Sequence, residues 1–171
     1  MPVTWLAFAY QVPAEPSKAR VYVWRKLKEY GAGYFKQSVA LLPRSPGNLT
    51  RLRSLAAKIH DMNGEATIAE LRFIDKNDET MMIKHFQEQS RNEYQALISE
   101  MSGLRESVGS DDRAERAKRL SKRYGQVRSR DYFKSGAIPE VALALDELIG
   151  DMAHATDDLA RHFAQRLLEM D

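Results

Sequence analysis

With 171 residues, 43% apolar and 29% charged, the chain is long enough to bury a core and too apolar to be a solvated, disordered polymer. It has no cysteine, which excludes disulfides, a thiolate nucleophile and cysteine metal sites. Its net charge of +2 hides alternating blocks: residues 1–60 hold 10 basic and 2 acidic side chains, 61–112 hold 5 and 12, 113–134 hold 9 and 2, and 135–171 hold 2 and 8.

Residues 3–12 are almost continuously apolar, the pattern of a mid-sheet strand, and Pro13 and Pro16 end it. The run lacks a charged flank and is far too short to span a bilayer, so a cytoplasmic protein without a membrane anchor is expected. From Ser17 to Tyr30 the helical spacing puts Ala19, Val23, Leu27 and Tyr30 on one face and Lys18, Arg25 and Lys28 on the other. Arg20 and Trp24 fall on the border. Gly31 and Gly33 stop that helix, and Tyr34 to Leu42 reads as two short strands around a turn or bulge at Lys36-Gln37-Ser38.

Pro43, Pro46 and Gly47 predict a loop, with Asn48 as the N-cap of a helix that buries Leu52, Leu55 and Ile59 and closes at Asn63-Gly64. Thr67, Ala69, Leu71 and Phe73 then alternate as in a strand. The expected fold is therefore α+β, a ferredoxin-like β-α-β-β-α-β domain over residues 1–75. Beyond Asp75 the period is helical: Ile83, Phe86, Ser90, Tyr94, Leu97, Met101 and Leu104 form one stripe, fraying at Gly103 and Gly109. Ala117, Leu120, Tyr124 and Val127 form a second stripe, and Val141 to Leu167 a third on near-heptad spacing. Residues 76–171 are thus expected as a three-helix extension, packed on the sheet or on a partner.

Trp5-Leu6, Tyr10-Gln-Val-Pro13, Glu15-Pro-Ser-Lys-Ala-Arg-Val-Tyr-Val-Trp-Arg-Lys-Leu27 and Tyr30-Gly31 carry a resemblance that continues through Gln37-Ser38-Val39 and Leu42-Pro43. Gly64-Glu65-Ala66 and Arg128-Ser-Arg-Asp-Tyr-Phe133 extend it along most of the chain. The sequence resembles the N-terminal domain of the chromate-resistance regulators of the ChrB type. That resemblance implies a bacterial cytoplasmic protein linked to chromate-inducible expression of an efflux transporter. Many such proteins carry a further C-terminal domain, so this sequence is expected to be a stand-alone domain or a fragment. A more distant likeness is to CRISPR-associated and PaaX-type ferredoxin-like domains. In the CRISPR group an aspartate ends the first strand and holds a divalent metal; Gln11 stands here instead, and a neutral amide is a poor ligand for a hard cation.

No catalytic constellation, cofactor motif or phosphate-binding glycine loop stands out, so a non-enzymatic protein without metal or cofactor is expected. His154, Asp158 and His162 step by four and share a stripe, a spacing that solvated helix faces adopt more often than metal sites do. The basic residues are the better lead. Lys18, Arg25, Lys26, Lys28 and Arg51 from the first basic block, with Arg44 and Arg53 nearby, and Arg119 and Arg123 from the second are the candidate nucleic-acid contacts. Arg113, Arg116 and Lys122 belong to the same second block. Arg20, Arg128 and Arg130 lie beside apolar or aromatic residues within the resembling stretches and are the candidate oxyanion ligands, because a guanidinium grips a tetrahedral oxyanion in two places. Trp24, Tyr34 and Phe35 read as core or dimer contacts. The resulting expectation is a DNA-binding regulator, with chromate as candidate effector and a homodimer as candidate assembly. The alternatives are an assembly module and, less favoured, a metal-dependent nuclease.

Overall fold

The computed structural model describes residues 3–14, 17–37, 39–105, 110–135 and 143. Among them the fold is mixed α/β, with a four-stranded antiparallel sheet and four helices. The order is β1 (Trp5–Gln11), α1 (Lys18–Glu29), β2 (Gly33–Lys36), β3 (Val39–Pro43), α2 (Pro46–Asp61), β4 (Glu65–Leu71), α3 (Lys76–Arg105) and α4 (Ser110–Ser129). The chain divides into two compact units, Met1–Phe86 and Gln87–Asp171. The third stripe, with His154, Asp158 and His162, lies outside the described residues.

In the first unit the strands run in the order β2-β3-β1-β4, so β1 is hydrogen-bonded on both sides. Register pairs Leu6 with Leu42 and Glu70, and Phe8 with Ala40 and Ile68, on one face. On the other face Trp5 pairs with Pro43 and Leu71, and Ala7 with Leu41 and Ala69. Trp5, Leu6 and Phe8 are all buried, each contributing about 1.5–3 kcal/mol relative to exposure. Helices α1 and α2 touch each other and bury Ala19, Val23, Leu27, Leu52, Leu55 and Ile59, as their spacing predicts.

The Trp5 face is closed differently. Its indole meets Phe73 edge-on at 6.0 Å and Phe86 of α3 at 5.5 Å, while Phe35 meets Phe73 at 5.5 Å. Glu79, in the first turn of α3, accepts hydrogen bonds from the Val3 backbone N–H (3.0 Å) and the Trp5 indole N–H (3.3 Å). Gly33 allows this packing: a Cβ there would lie 2.8 Å from the Phe86 ring. Gly64 is equally tight, since its Cβ would come within 2.6 Å of the Gln11 carbonyl and 2.7 Å of the Ile59 side chain.

Three local expectations change. Ser45, not Asn48, caps α2: Pro46 sets the first turn, and the Ser45 hydroxyl accepts from the Asn48 N–H at 3.1 Å. Asn48 is instead buried, and its side-chain amide donates to the Pro43 carbonyl at 2.9 Å. In β4 the better covered residues are Ala66 and Ile68, whereas Thr67 and Ala69 are exposed. Small side chains occupy both parities there, so alternation alone does not say which face is covered. Helix α3 runs through Gly103 to Arg105, the helical ladder absorbing a glycine cost of about 1 kcal/mol. The turn or bulge expected at Lys36-Gln37-Ser38 resolves into a connection after Lys36 and a register shift just before it, between Tyr34 and Lys36.

In the second unit the C-terminal part of α3 buries Ser90, Tyr94, Leu97 and Met101, and α4 buries Leu120, Tyr124 and Val127. The Tyr94 and Tyr124 rings meet at 6.3 Å.

Two substitutions test the Trp5 face. Gly33→Ala should lower unfolding stability by about 1–3 kcal/mol through the Phe86 overlap, read from urea denaturation. Glu79→Ala should cost a similar amount, about 1–3 kcal/mol, by removing the acceptor of the buried indole, whereas the exposed Lys76→Ala should change little. Equal midpoints for Glu79→Ala and the parent protein would remove the clamp from this account.

Candidate nucleic-acid interface

Helix α1 presents two faces of different chemistry. Ala19, Val23 and Leu27 are buried, and Lys18, Arg20, Val21, Tyr22, Trp24, Arg25 and Lys28 are exposed. No acidic residue occupies its first turn, and Lys26 and Lys28 sit in its last turn, where cations suit the helix dipole. Lys26 donates to Glu29 at 2.8 Å, and that hydrogen bond raises its pKa above the usual lysine value. The Lys28 ammonium stands 5.2 Å above the Trp24 ring. Arg20 turns back on the chain, its guanidinium donating to the Ala14 carbonyl at 3.2 Å.

Helix α2 adds one cation to this neighbourhood. The Arg51 guanidinium lies 5.9 Å from the centre of the Tyr30 ring, at the C-terminal end of α1. Burial raises the Tyr30 phenol above its ordinary value, and the nearby Lys26 and Arg51 charges oppose that rise. Arg44 is engaged by Glu70. Among the described residues, Lys18, Arg25 and Arg53 show no ion pair. Lys18, Arg25, Lys28 and Arg51 are therefore exposed cations borne on two touching helices, with Lys26 tied to an acid beside them.

Of the expectation that Trp24, Tyr34 and Phe35 are core or dimer contacts, the core half does not hold for Trp24. It is 50% exposed, and Tyr34 (39%) and Phe35 (41%) are also partly exposed. Its border position in the α1 stripe was the available signal, and the surface side of the border is where it falls.

In the second basic block some cations are likewise engaged. Arg119 and Lys122 are exposed, but Arg123 pairs with Glu100. The side chains of Arg113 and Arg116 lie outside the described residues. Arg130, with only 18% side-chain exposure, is bound by Glu93. Arg128 approaches the Tyr124 hydroxyl at 3.5 Å. Beside them Asp131 organises the chain after α4: it accepts from the Tyr94 hydroxyl at 3.3 Å, from the Ser135 backbone N–H at 2.8 Å and from the Ser135 hydroxyl at 2.5 Å. Arg128 thus lies near Tyr94 and Tyr124, Arg130 is held by Glu93 in the same unit, and Arg20 belongs to the first unit. An oxyanion reaching Arg130 would compete directly with the Glu93 carboxylate. Glu93 and Tyr94 escaped the sequence reading as partners because 37 residues separate them from Arg130 and Asp131.

Among the described residues no group of three or more His, Asp or Glu side chains converges to hold a metal. Gln11 is exposed at the end of β1, opposite Glu65. His60 contacts the Gly64 carbonyl at 3.2 Å, and His85 packs edge-on against Phe86. No helix among the described residues is long and apolar enough to cross a membrane.

The family model described as "Protein ChrB, N-terminal" matches residues 20–166. The chain is also similar to Protein ChrB of Cupriavidus metallidurans strain CH34, at 28% identity over 137 residues. That alignment covers 78% of this chain but 41% of the relative, so the chain spans about two fifths of the length of the protein it matches. No solved structure matches.

Burial and the neighbouring Asp131 charge raise the Tyr94 phenol above the ordinary tyrosine value of about 10. A raised pKa in the folded state means that its stabilising contribution is complete below pH about 10 and is lost as pH rises further. Tyr94→Phe should therefore flatten the fall in the urea midpoint between pH 9 and 11, by roughly the share one phenol carries. An unchanged alkaline profile would show that ionisation of Tyr94 is not resisted.

Proposed function

The chain belongs to the family of ChrB N-terminal domains, and on that premise we propose that it is a non-enzymatic, DNA-binding part of a chromate-resistance regulator. We read its fold as ferredoxin-like, a reading supported by the element order β1-α1-β2-β3-α2-β4 and the strand order β2-β3-β1-β4. The observation that carries DNA binding is the outward face of α1, which exposes Lys18, Arg25 and Lys28, while Arg51 of α2 stands at the Tyr30 end of the same helix. Cations held on rigid helices neutralise phosphates and release condensed counterions, which supplies affinity without needing sequence contacts. In the second unit exposed Arg119 and Lys122, and Arg123 beside Glu100, would supply phosphate contacts of their own.

Chromate or a related oxyanion would act as effector by competing for a guanidinium. Arg130, held by Glu93, and Arg128, near Tyr124, are the candidates in the second unit; Arg20 would serve only after leaving the Ala14 carbonyl. The protein would work in the cytoplasm, where its DNA is.

A second reading, an assembly module, is favoured by β2. It is an edge strand that exposes Tyr34 and Phe35, and such edges recruit a further strand or copy.

Fluorescence anisotropy of labelled duplex DNA at low and moderate salt, with and without chromate, decides between them. Binding that weakens steeply with salt and is released by chromate is the expected result. No binding at low ionic strength would sink the DNA reading and leave the assembly module.

A further inference from the structure

Residues 21, 24, 25 and 28 of α1 are spaced i, i+3, i+4, i+7, the pattern that normally marks the buried side of a helix. Here the buried side is a different set, Ala19, Val23 and Leu27, while Val21 (45%) and Trp24 (50%) are exposed and interleaved with exposed Arg25 and Lys28. Resting on the DNA-binding reading, we infer that this outward stripe is the element that seats on duplex DNA. Trp24 is its apolar anchor, and Lys18, Arg25 and Lys28 are its phosphate contacts.

Charge selects this occupant over two others. A second copy docked face to face would bring Lys18, Arg25 and Lys28 near their own counterparts, and like charges across an isologous contact repel. A lipid surface calls for a helix that can submerge a continuous apolar face, but that face of α1 is turned into its own unit. Duplex DNA offers negative charge along the whole 12-residue helix, about 18 Å long, and a major groove that admits a helix. The Lys28 ammonium over the Trp24 ring keeps the indole against the edge of the cationic stripe. Trp24 then meets sugar and base edges while the flanking cations lie along the phosphates.

The chain's two tryptophans make the test direct, because Trp5 is 0% exposed and Trp24 is the one an aqueous quencher reaches. Acrylamide quenching of the full chain with increasing duplex DNA should show Trp24 becoming protected. In salt-dependent anisotropy, Trp24→Ala should weaken binding about ten-fold with no change in the slope of log affinity against log salt. Arg25→Ala and Lys28→Ala should each reduce that slope by about 0.9. Trp24→Phe should recover part of the loss, and unchanged melting of the Trp24 variants would tie the effect to binding. Suppose the parent chain binds DNA with a steep salt dependence while Trp24→Ala binds equally well: the anchor assignment then fails and DNA binding stands. No binding by the parent chain at any salt overturns both. Protection that follows protein concentration without DNA makes the stripe a contact between copies and overturns the assignment.

Discussion

The arrangement of the first unit follows from the position of β1, a strand hydrogen-bonded on both edges whose two faces both carry large apolar side chains. Such a strand cannot leave either face to water. Leu6 and Phe8 are covered on one side, where α1 and α2 bury their own apolar stripes. On the other side, Trp5 is sealed by Phe73 and Phe86, with Glu79 receiving the one polar atom of the indole. Because the inward side of α1 is committed to that core, everything else on the helix must face outward. The concentration of Lys18, Arg25 and Lys28 on one exposed surface is thus a by-product of where β1 has to be.

A count of positive residues overstates what a surface can offer. Lys26 is held by Glu29, Arg44 by Glu70, Arg123 by Glu100 and Arg130 by Glu93. The first three of these pairs are solvent-exposed and contribute only about 0–1 kcal/mol each to stability. Their larger effect is to cancel charge at a distance, so the outward field comes from the cations that no carboxylate holds. By that measure the first block offers Lys18, Arg25 and Arg53, and the described part of the second offers Arg119 and Lys122.

Periodicity reported burial well wherever one side of an element differed strongly from the other. Ala19, Val23 and Leu27 in α1, Leu52, Leu55 and Ile59 in α2, and Leu120, Tyr124 and Val127 in α4 were all legible on this basis. It failed where the contrast was weak, as in β4, whose Ala66, Thr67 and Ala69 are similar in size. The α2 cap was misassigned because two competent capping residues, Ser45 and Asn48, flank the same proline and glycine. For the site, the cations could be listed from the sequence, but not which of them are neutralised. Glu93 and Glu100 reach their arginines across the fold, and nothing local announces such a partner.

The chain's glycines are not one class. At Gly33 and Gly64 any side chain, however small, would intrude on an aromatic ring or a backbone carbonyl, whereas Gly47 and Gly103 have nothing within 4 Å of where a side chain would begin. Every missense change that a single base substitution can make at a glycine codon introduces a Cβ, so the first two positions have no gentle neighbours in the genetic code. The other two have alanine, which favours a helix over glycine by about 1 kcal/mol. Substitution is therefore unequal in its consequences: a side chain at Gly33 or Gly64 must displace what surrounds it, whereas alanine at Gly47 or Gly103 meets open space and stiffens its helix.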